Sequence, residues 1–238
     1  MRITLPTLLS FNAGYVDTAG YLALQGLFTA HVTGNFVTIA AALAYGSTGV
    51  LTKLSALPMF CLVIIFTRLV SYGLPGGDRG VLPAVLTLKL ILLAIGAGLA
   101  IWWGPFVNGD AWTAWITGMV LVAAMAIQNA AQRIHLGATP PTTIMTGNTT
   151  QMMIDLADCL HGLPPDKREA TVARLRHLTK AVTSFALGAA IAALLFSTIK
   201  MWCFVVAPLV AALGRLTADA VPLGGSAGSS GARPLSGR

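Results

Sequence analysis

Charge is scarce in this 238-residue sequence: only 10% of residues are Asp, Glu, Lys or Arg, against about a quarter in a soluble domain. Together with 55% hydrophobic residues and a mean hydropathy of +0.77, that scarcity excludes one or two ordinary soluble domains. Cysteine is sparse as well. Cys61, Cys159 and Cys203 are odd in number and widely spaced, which excludes a zinc pattern or a disulfide framework and leaves them as small apolar side chains. Catalytic signatures are missing too: no nucleophile-elbow serine, phosphate loop or paired carboxylates. The chain therefore does not read as an enzyme, and neither cofactor nor metal is expected. Its formal net charge of +7 comes without aromatic interleaving or a reader motif, which excludes nucleic acid as a partner.

What the sequence does hold is long apolar stretches. Six windows approach the ~20 apolar residues that a bilayer requires: 5–25, 54–72, 81–103, 112–132, 179–199 and 200–217. The last two abut at Lys200, which predicts a tight hairpin at the membrane surface. Met1-Arg2 and the apolar run behind it resemble a secretory leader, but the run continues into Asp17 and Gly20 without a cleavage site, so it reads as an uncleaved first span. Residues 219–238 are Gly/Ser-rich without apolar period and read as a disordered cytoplasmic tail.

One tripeptide occurs twice inside this apolar sequence, as Thr33-Gly34-Asn35 and, 113 residues on, as Thr146-Gly147-Asn148. In that register the later spans of the two halves superpose. With one residue inserted, Gly14-Tyr15-Val16-Asp17 falls opposite Ala126-Ile127-Gln128-Asn129. Each half then contains a span, a short motif-bearing segment and two further spans, giving a first membrane repeat at 1–110 and a second at 111–218, with a cytoplasmic linker at 158–180 whose stretch from Asp166 to Lys180 reads as an amphipathic charged helix.

Charge supplies an orientation. Lys167, Arg168, Arg174, Arg176 and Lys180 crowd one loop, which marks it as cytoplasmic. Arg2, Arg68, Arg79, Arg215, Arg233 and Arg238 then fall on the same side, and only Lys53 and Lys200 on the other. This solution makes the motif segments, 29–47 and 139–161, enter and leave from one face each. Six spans plus two re-entrant segments result, with three spans per half, so that the halves are inverted and the broken segments meet near the midplane. The alternative is eight short spans in parallel halves. Both termini are expected in the cytoplasm.

Irregular backbone at membrane depth must be satisfied by protein or line a watery cavity. Thr33 and Thr146 are candidates to cap the free amides of a broken helix. Gly34 and Gly147 permit close approach of the opposing segment, and Asn35 and Asn148 offer donor and acceptor to a solute. Asp17 stands mid-span, where a carboxylate must be paired, protonated or facing a cavity; Asn129, with Gln128 beside it, is its counterpart. Arg133 and Lys89 are placed to snorkel to the interface, Arg133 with a second role open in guiding an anion. His31 is placed to gate or titrate, and Asp155 to answer Arg133 or to serve the pathway. Trp102, Trp103, Trp112, Trp115 and Trp202 sit near outer span ends, as interfacial anchors do.

Gly14-Tyr15-Val16-Asp17, Phe28, Val32-Thr33-Gly34-Asn35, Gln128-Asn129-Ala130 and Thr142-Thr143-Ile144-Met145-Thr146-Gly147 together resemble the bacterial YoaK family of small integral membrane proteins. The resemblance covers residues 8–217 and implies a bacterial inner-membrane location, with no substrate or catalytic residue to carry over. The function expected from the residues is a small-solute transporter or channel-like permease for a polar or anionic solute. The alternative is a membrane scaffold or assembly factor in which the motifs are structural. Expected partners are the lipid bilayer, that solute and, as an open option, further copies of the chain in a homo-oligomer.

Overall fold

Apolar sequence in lipid folds as helix because a helix satisfies its backbone internally. A computed structural model describes residues 4–73 and 77–218, the side chains of 77–79 excepted. The expectations for Arg2, the Arg79 side chain and the 219–238 tail, with Arg233 and Arg238, lie outside the described residues. Among the described residues there is no strand. The helices are α1 (Leu5–Ala23), α2 (Asn35–Tyr45), α3 (Val50–Gly73), α4 (Gly77–Trp103), α5 (Trp112–His135), α6 (Met145–His161), α7 (Pro165–Ile199) and α8 (Val206–Ala218). Short 3-10 turns, Val32–Gly34 and Lys200–Val205, precede α2 and α8. Four segments are long and apolar enough to cross a membrane: Val50–Gly73, Gly80–Trp103, Trp112–His135 and Pro165–Ala218. The chain is an all-helical polytopic membrane protein.

Helix α1 fills the first expected span but is not among those four segments. Its Ser10, Asn12 and Asp17 lower its hydropathy, and all three are buried, so α1 is an inner helix. The second inner helix is α5, buried over 78% of its apolar window against 22% in α3 and 39% in α4. The surrounding helices turn Leu62, Phe66, Leu69, Ile95 and Leu194 outward, as a lipid-facing surface requires. One expectation needs correction. The span at 200–217 opens as a 3-10 turn and continues in α8 for only 13 residues. The stretch from Asp166 to Lys180, read as a charged helix within the 158–180 linker, is helical as expected, with Pro165 in the first turn of α7, where its missing N–H costs nothing. With 35 residues, α7 is about 50 Å long, so Lys167–Lys180 ride on its first turns.

The halves pack in matching pairs: α1 on α7 as α5 on α3, α4 on α5 as α8 on α1, and α2 on α3 as α6 on α7. The closest crossing is α1 with α7. A Cβ built on Gly14 would lie 2.1 Å from the Phe185 carbonyl oxygen, and one on Gly188 would lie 2.1 Å from that of Phe11. Backbones meet directly there, as small residues at membrane helix crossings allow.

One end of the bundle gathers Leu5 and Leu9 of α1, Val81, Leu82, Val85 and Leu86 of α4, Ile127 and Ala131 of α5, Leu136 just beyond it and Ala218 of α8 in a single apolar cluster. Trp103 and Trp112 pack edge to face at the opposite end, with centroids 4.9 Å apart. There Asp110 caps α3, accepting from the Gly49 amide at 2.8 Å and the Thr52 amide at 3.1 Å.

Asp155 of α6 is buried and accepts from Arg174 of α7, Nε at 2.8 Å and Nη2 at 2.7 Å, and from Gln151 Nε2 at 2.7 Å. It therefore answers Arg174 rather than Arg133, and the guanidinium holds its carboxyl below the usual carboxylate range.

Two outcomes follow from these contacts. Gly14→Ala, measured by chemical unfolding in mixed micelles, is expected to cost about 2–3 kcal/mol by overpacking; a change under about 0.5 kcal/mol would show that the crossing is not tight. Arg174→Gln is expected to cost on the order of 1–2 kcal/mol at pH 7, trimmed by the guanidinium's exposure. Because the folded carboxyl is the stronger acid, the contribution is complete above about pH 4 and fades as pH falls through the lowered folded value. The stability gap between parent and variant should narrow below about pH 4, and a gap unchanged down to pH 3 contradicts this assignment.

Candidate functional site

After α1 the chain reverses at Gln25, which has φ +55, and Gly26, and runs back along the helix it has just left. Asp17, 4% exposed, fastens this loop. Its Oδ1 accepts from the backbone amides of Thr29 at 2.8 Å, Ala30 at 2.7 Å and His31 at 3.3 Å, and from Thr29 Oγ1 at 3.4 Å. The loop lies six residues, about 9 Å, in from the end of α1. Then α2 leads back out. A Cβ built on Gly109 would lie 2.9 Å from Gln25 Cβ and 2.8 Å from Gly49 Cα, so the segment between Gln25 and Gly49 leaves and returns at one end of the bundle.

The second half repeats the move from the other end. Beyond α5 the chain climbs back to Gln128 and Asn129, about 10 Å in from His135. Thr143 Oγ1 donates to Asn129 Oδ1 at 2.7 Å, and Gln128 Nε2 donates to Thr142 Oγ1 at 3.0 Å and the Leu9 carbonyl at 2.9 Å. From there α6 runs out antiparallel to α7. Each tip thus lies about 9–10 Å in from the end of the helix that precedes it.

Both motif asparagines bind the carbonyl seven residues upstream, in the register of the repeat. Asn35 closes a two-bond clamp on Phe28, accepting from its amide at 2.9 Å and donating to its oxygen at 2.8 Å. Asn148 Nδ2 donates to the Pro141 oxygen at 2.7 Å, and Pro141 has no N–H to return the bond. Asn35 is 2% and Asn148 3% exposed.

Other expected roles are corrected here. Neither threonine caps a helix: Thr33 sits inside the 3-10 turn and Thr146 is already helical, and no side chain caps α2 or α6. Gly34 does not face the opposing segment; a Cβ there would come 3.0 Å from the Phe28 ring of its own loop. Gly147 has only Ile144 near it, at 3.8 Å. Lys89 does not snorkel, being 1% exposed and donating to Gln128 Oε1, which ties α4 into the same polar hub.

Two cavities adjoin the tips. One, of about 480 Å³, is bordered by Ala30–Thr33 from the first loop, Thr143 and Ile144 from the second, and Asn129, Arg68 and Arg133. The other, of about 670 Å³, is bordered by Arg133, Ile144, Gly147, Asn148, Arg174 and His177, among others. Thr33 and Asn148 therefore line different cavities, Thr146 faces an open surface along α6, and Asn35 borders neither. Asp17 is turned to its loop. Arg133 is exposed and borders both cavities. Arg68, Arg174, His177, Thr142 and Thr143 were not expected at the site. The repeat register could have found the last two, since Thr142 and Thr143 fall opposite Thr29 and Ala30; the others are brought in only by tertiary packing.

The family described as "Protein of unknown function (DUF1275)" matches residues 5–217. The chain is 31% identical over 195 residues to UPF0700 transmembrane protein YoaK of Bacillus subtilis (strain 168), covering 81% of this chain and 83% of the relative. No solved structure matches it. The doubled loops, their anchoring side chains and the helices that frame them thus lie within the matched region, and the chain belongs to the DUF1275 family.

Proposed function

We propose that the protein is a small-solute permease of a bacterial inner membrane, built from two inverted repeats with six spans and two re-entrant helices, α2 and α6. The cavity of about 480 Å³ bordered by both loops carries this reading. Irregular backbone is tolerated at membrane depth where it is held by protein and borders a cavity, and paired broken segments at repeat interfaces are a recurring transporter plan. The exchanged packing of the halves and loops returning to opposite ends support the inversion. The end with Arg68, Arg133 and Arg215 is cytoplasmic by the positive-inside bias, which puts both termini there. Thr33, Asn129, Thr143 and Asn148 line the route, Asp17, Gln128 and Asn35 hold the loops, and no residue acts catalytically.

A second reading, a membrane scaffold without transport, draws on the Asn35 clamp, which uses donor and acceptor on the loop itself. Flux separates the two. Proteoliposomes challenged with glycerol, alanine, acetate and benzoate are expected to admit at least one faster than protein-free liposomes, and Ile144→Trp, which fills both cavities, should return that rate to background. Background rates for the whole panel favour the scaffold.

Stability of the asparagine variants tests the division of labour. Asn35→Ala leaves two backbone groups of Phe28 without partners and should cost about 1–3 kcal/mol. Asn148→Ala strands only one and should cost less. An equal or reversed order in unfolding experiments would contradict the clamp.

A further inference from the structure

Among the described residues bordering the two cavities there is no Asp or Glu, while Arg133 borders both, Arg174 and His177 border one, and Arg68 and His31 border the other. Two of these guanidinium groups are already engaged: Arg174 with Asp155 and Arg68 over the Tyr72 ring at 4.4 Å. Arg133 has no hydrogen-bond, ion-pair or ring partner among the described residues. A free, permanently charged guanidinium with planar paired donors suits a carboxylate or phosphate, and a cleft lined by one sign of charge concentrates the opposite ion. Both cavities also offer apolar wall, with Ile144 common to the two, Pro140 and Pro141 in one and Phe60 in the other. The first turn of α6, uncapped by any side chain, adds partial positive charge beside Arg133.

We propose that the paired cavities form one binding site for a small organic anion, with its carboxylate or phosphate held by Arg133 and its apolar body against Ile144. This rests on the solute-pathway reading for the idea that the cavities hold solute, and it narrows that solute to an anion with an apolar body. The same anionic chemistry could come from a free metabolite or from the headgroup of a bilayer lipid.

The test uses the whole purified chain in neutral detergent, with benzoate as probe and equilibrium binding as readout. Benzoate is expected to bind saturably, and benzamide and benzylamine, of matching shape without the negative charge, at least about tenfold more weakly. Arg133→Gln should weaken benzoate by about tenfold or more, the loss of one charged hydrogen-bond pair, and Arg133→Lys should recover part of it. Helical content and elution position confirm that each variant is folded, and the comparison of benzoate with benzamide needs no variant. Equal binding of benzoate and benzamide, or an unchanged benzoate affinity in folded Arg133→Gln, would overturn the proposal. Phosphatidylglycerol added to the micelles assigns the source: competition with benzoate supports a headgroup as occupant, and no competition supports a free anion, both with Arg133 as the anchor. Benzoate binding without flux would defeat the permease and leave the anion site standing. Flux of neutral solutes without benzoate binding would do the reverse.

Discussion

Asp17 Oδ1 collects the amides of Thr29, Ala30 and His31, and the position of the first broken segment depends on that one oxygen. Without it the chain leaving α1 would carry three unpaired N–H groups into an apolar bundle, each a desolvation cost of about 1–3 kcal/mol. The carboxylate makes a reversal inside the bundle tolerable. The reversal frees α2 to start at depth and run back out, which places the Val32–Gly34 turn beside a cavity instead of in solvent. The carboxylate is thus an architectural group, and its mid-helix position, costly in lipid, is explained by the loop that it holds.

The second half solves the same problem with neutral groups. Gln128 and Asn129 meet the hydroxyls of Thr142 and Thr143, and Gln128 also takes the Lys89 ammonium and binds the Leu9 carbonyl. That residue therefore joins α1, α4, α5 and the second loop. Above these anchors the motif asparagines repeat one bond, to the carbonyl seven residues back, with the return bond present at Phe28 and absent at Pro141. The halves are alike in geometry and unlike in chemistry, so the two tips are not interchangeable: Asn35 makes two bonds to Phe28 of its loop, while Asn148 makes one to Pro141 and borders the larger of the two cavities.

Much of this was legible in the sequence. Apolar length alone marked α3, α4 and α5, and the doubled tripeptide marked both loops and the register in which Asn35 and Asn148 act. What was not legible depended on neighbours far along the chain. Helix α1 reads as one span among six, and only tertiary packing shows that its Ser10, Asn12 and Asp17 face other helices instead of lipid. Lys89 reads as a snorkelling cation until Gln128, 39 residues away, is seen beside it. The threonines read as caps, but a 3-10 turn at Thr33 and an early helix start before Thr146 leave them nothing to cap. Charge density marked the stretch from Asp166 to Lys180 as a charged linker helix, but not that it runs unbroken from Pro165 to Ile199 as one helix with the following span.

The functional reading depends on the two loops entering the membrane from opposite faces, since only that arrangement allows a route between them to join the two sides. Single-cysteine accessibility in intact cells measures this directly, with Cys61, Cys159 and Cys203 replaced and one cysteine placed at Thr48 or at Asp158, both exposed. An impermeant maleimide applied from outside should label Thr48→Cys and spare Asp158→Cys until the membrane is opened. Labelling of both from the same face would contradict the inverted, re-entrant architecture and the pathway built on it.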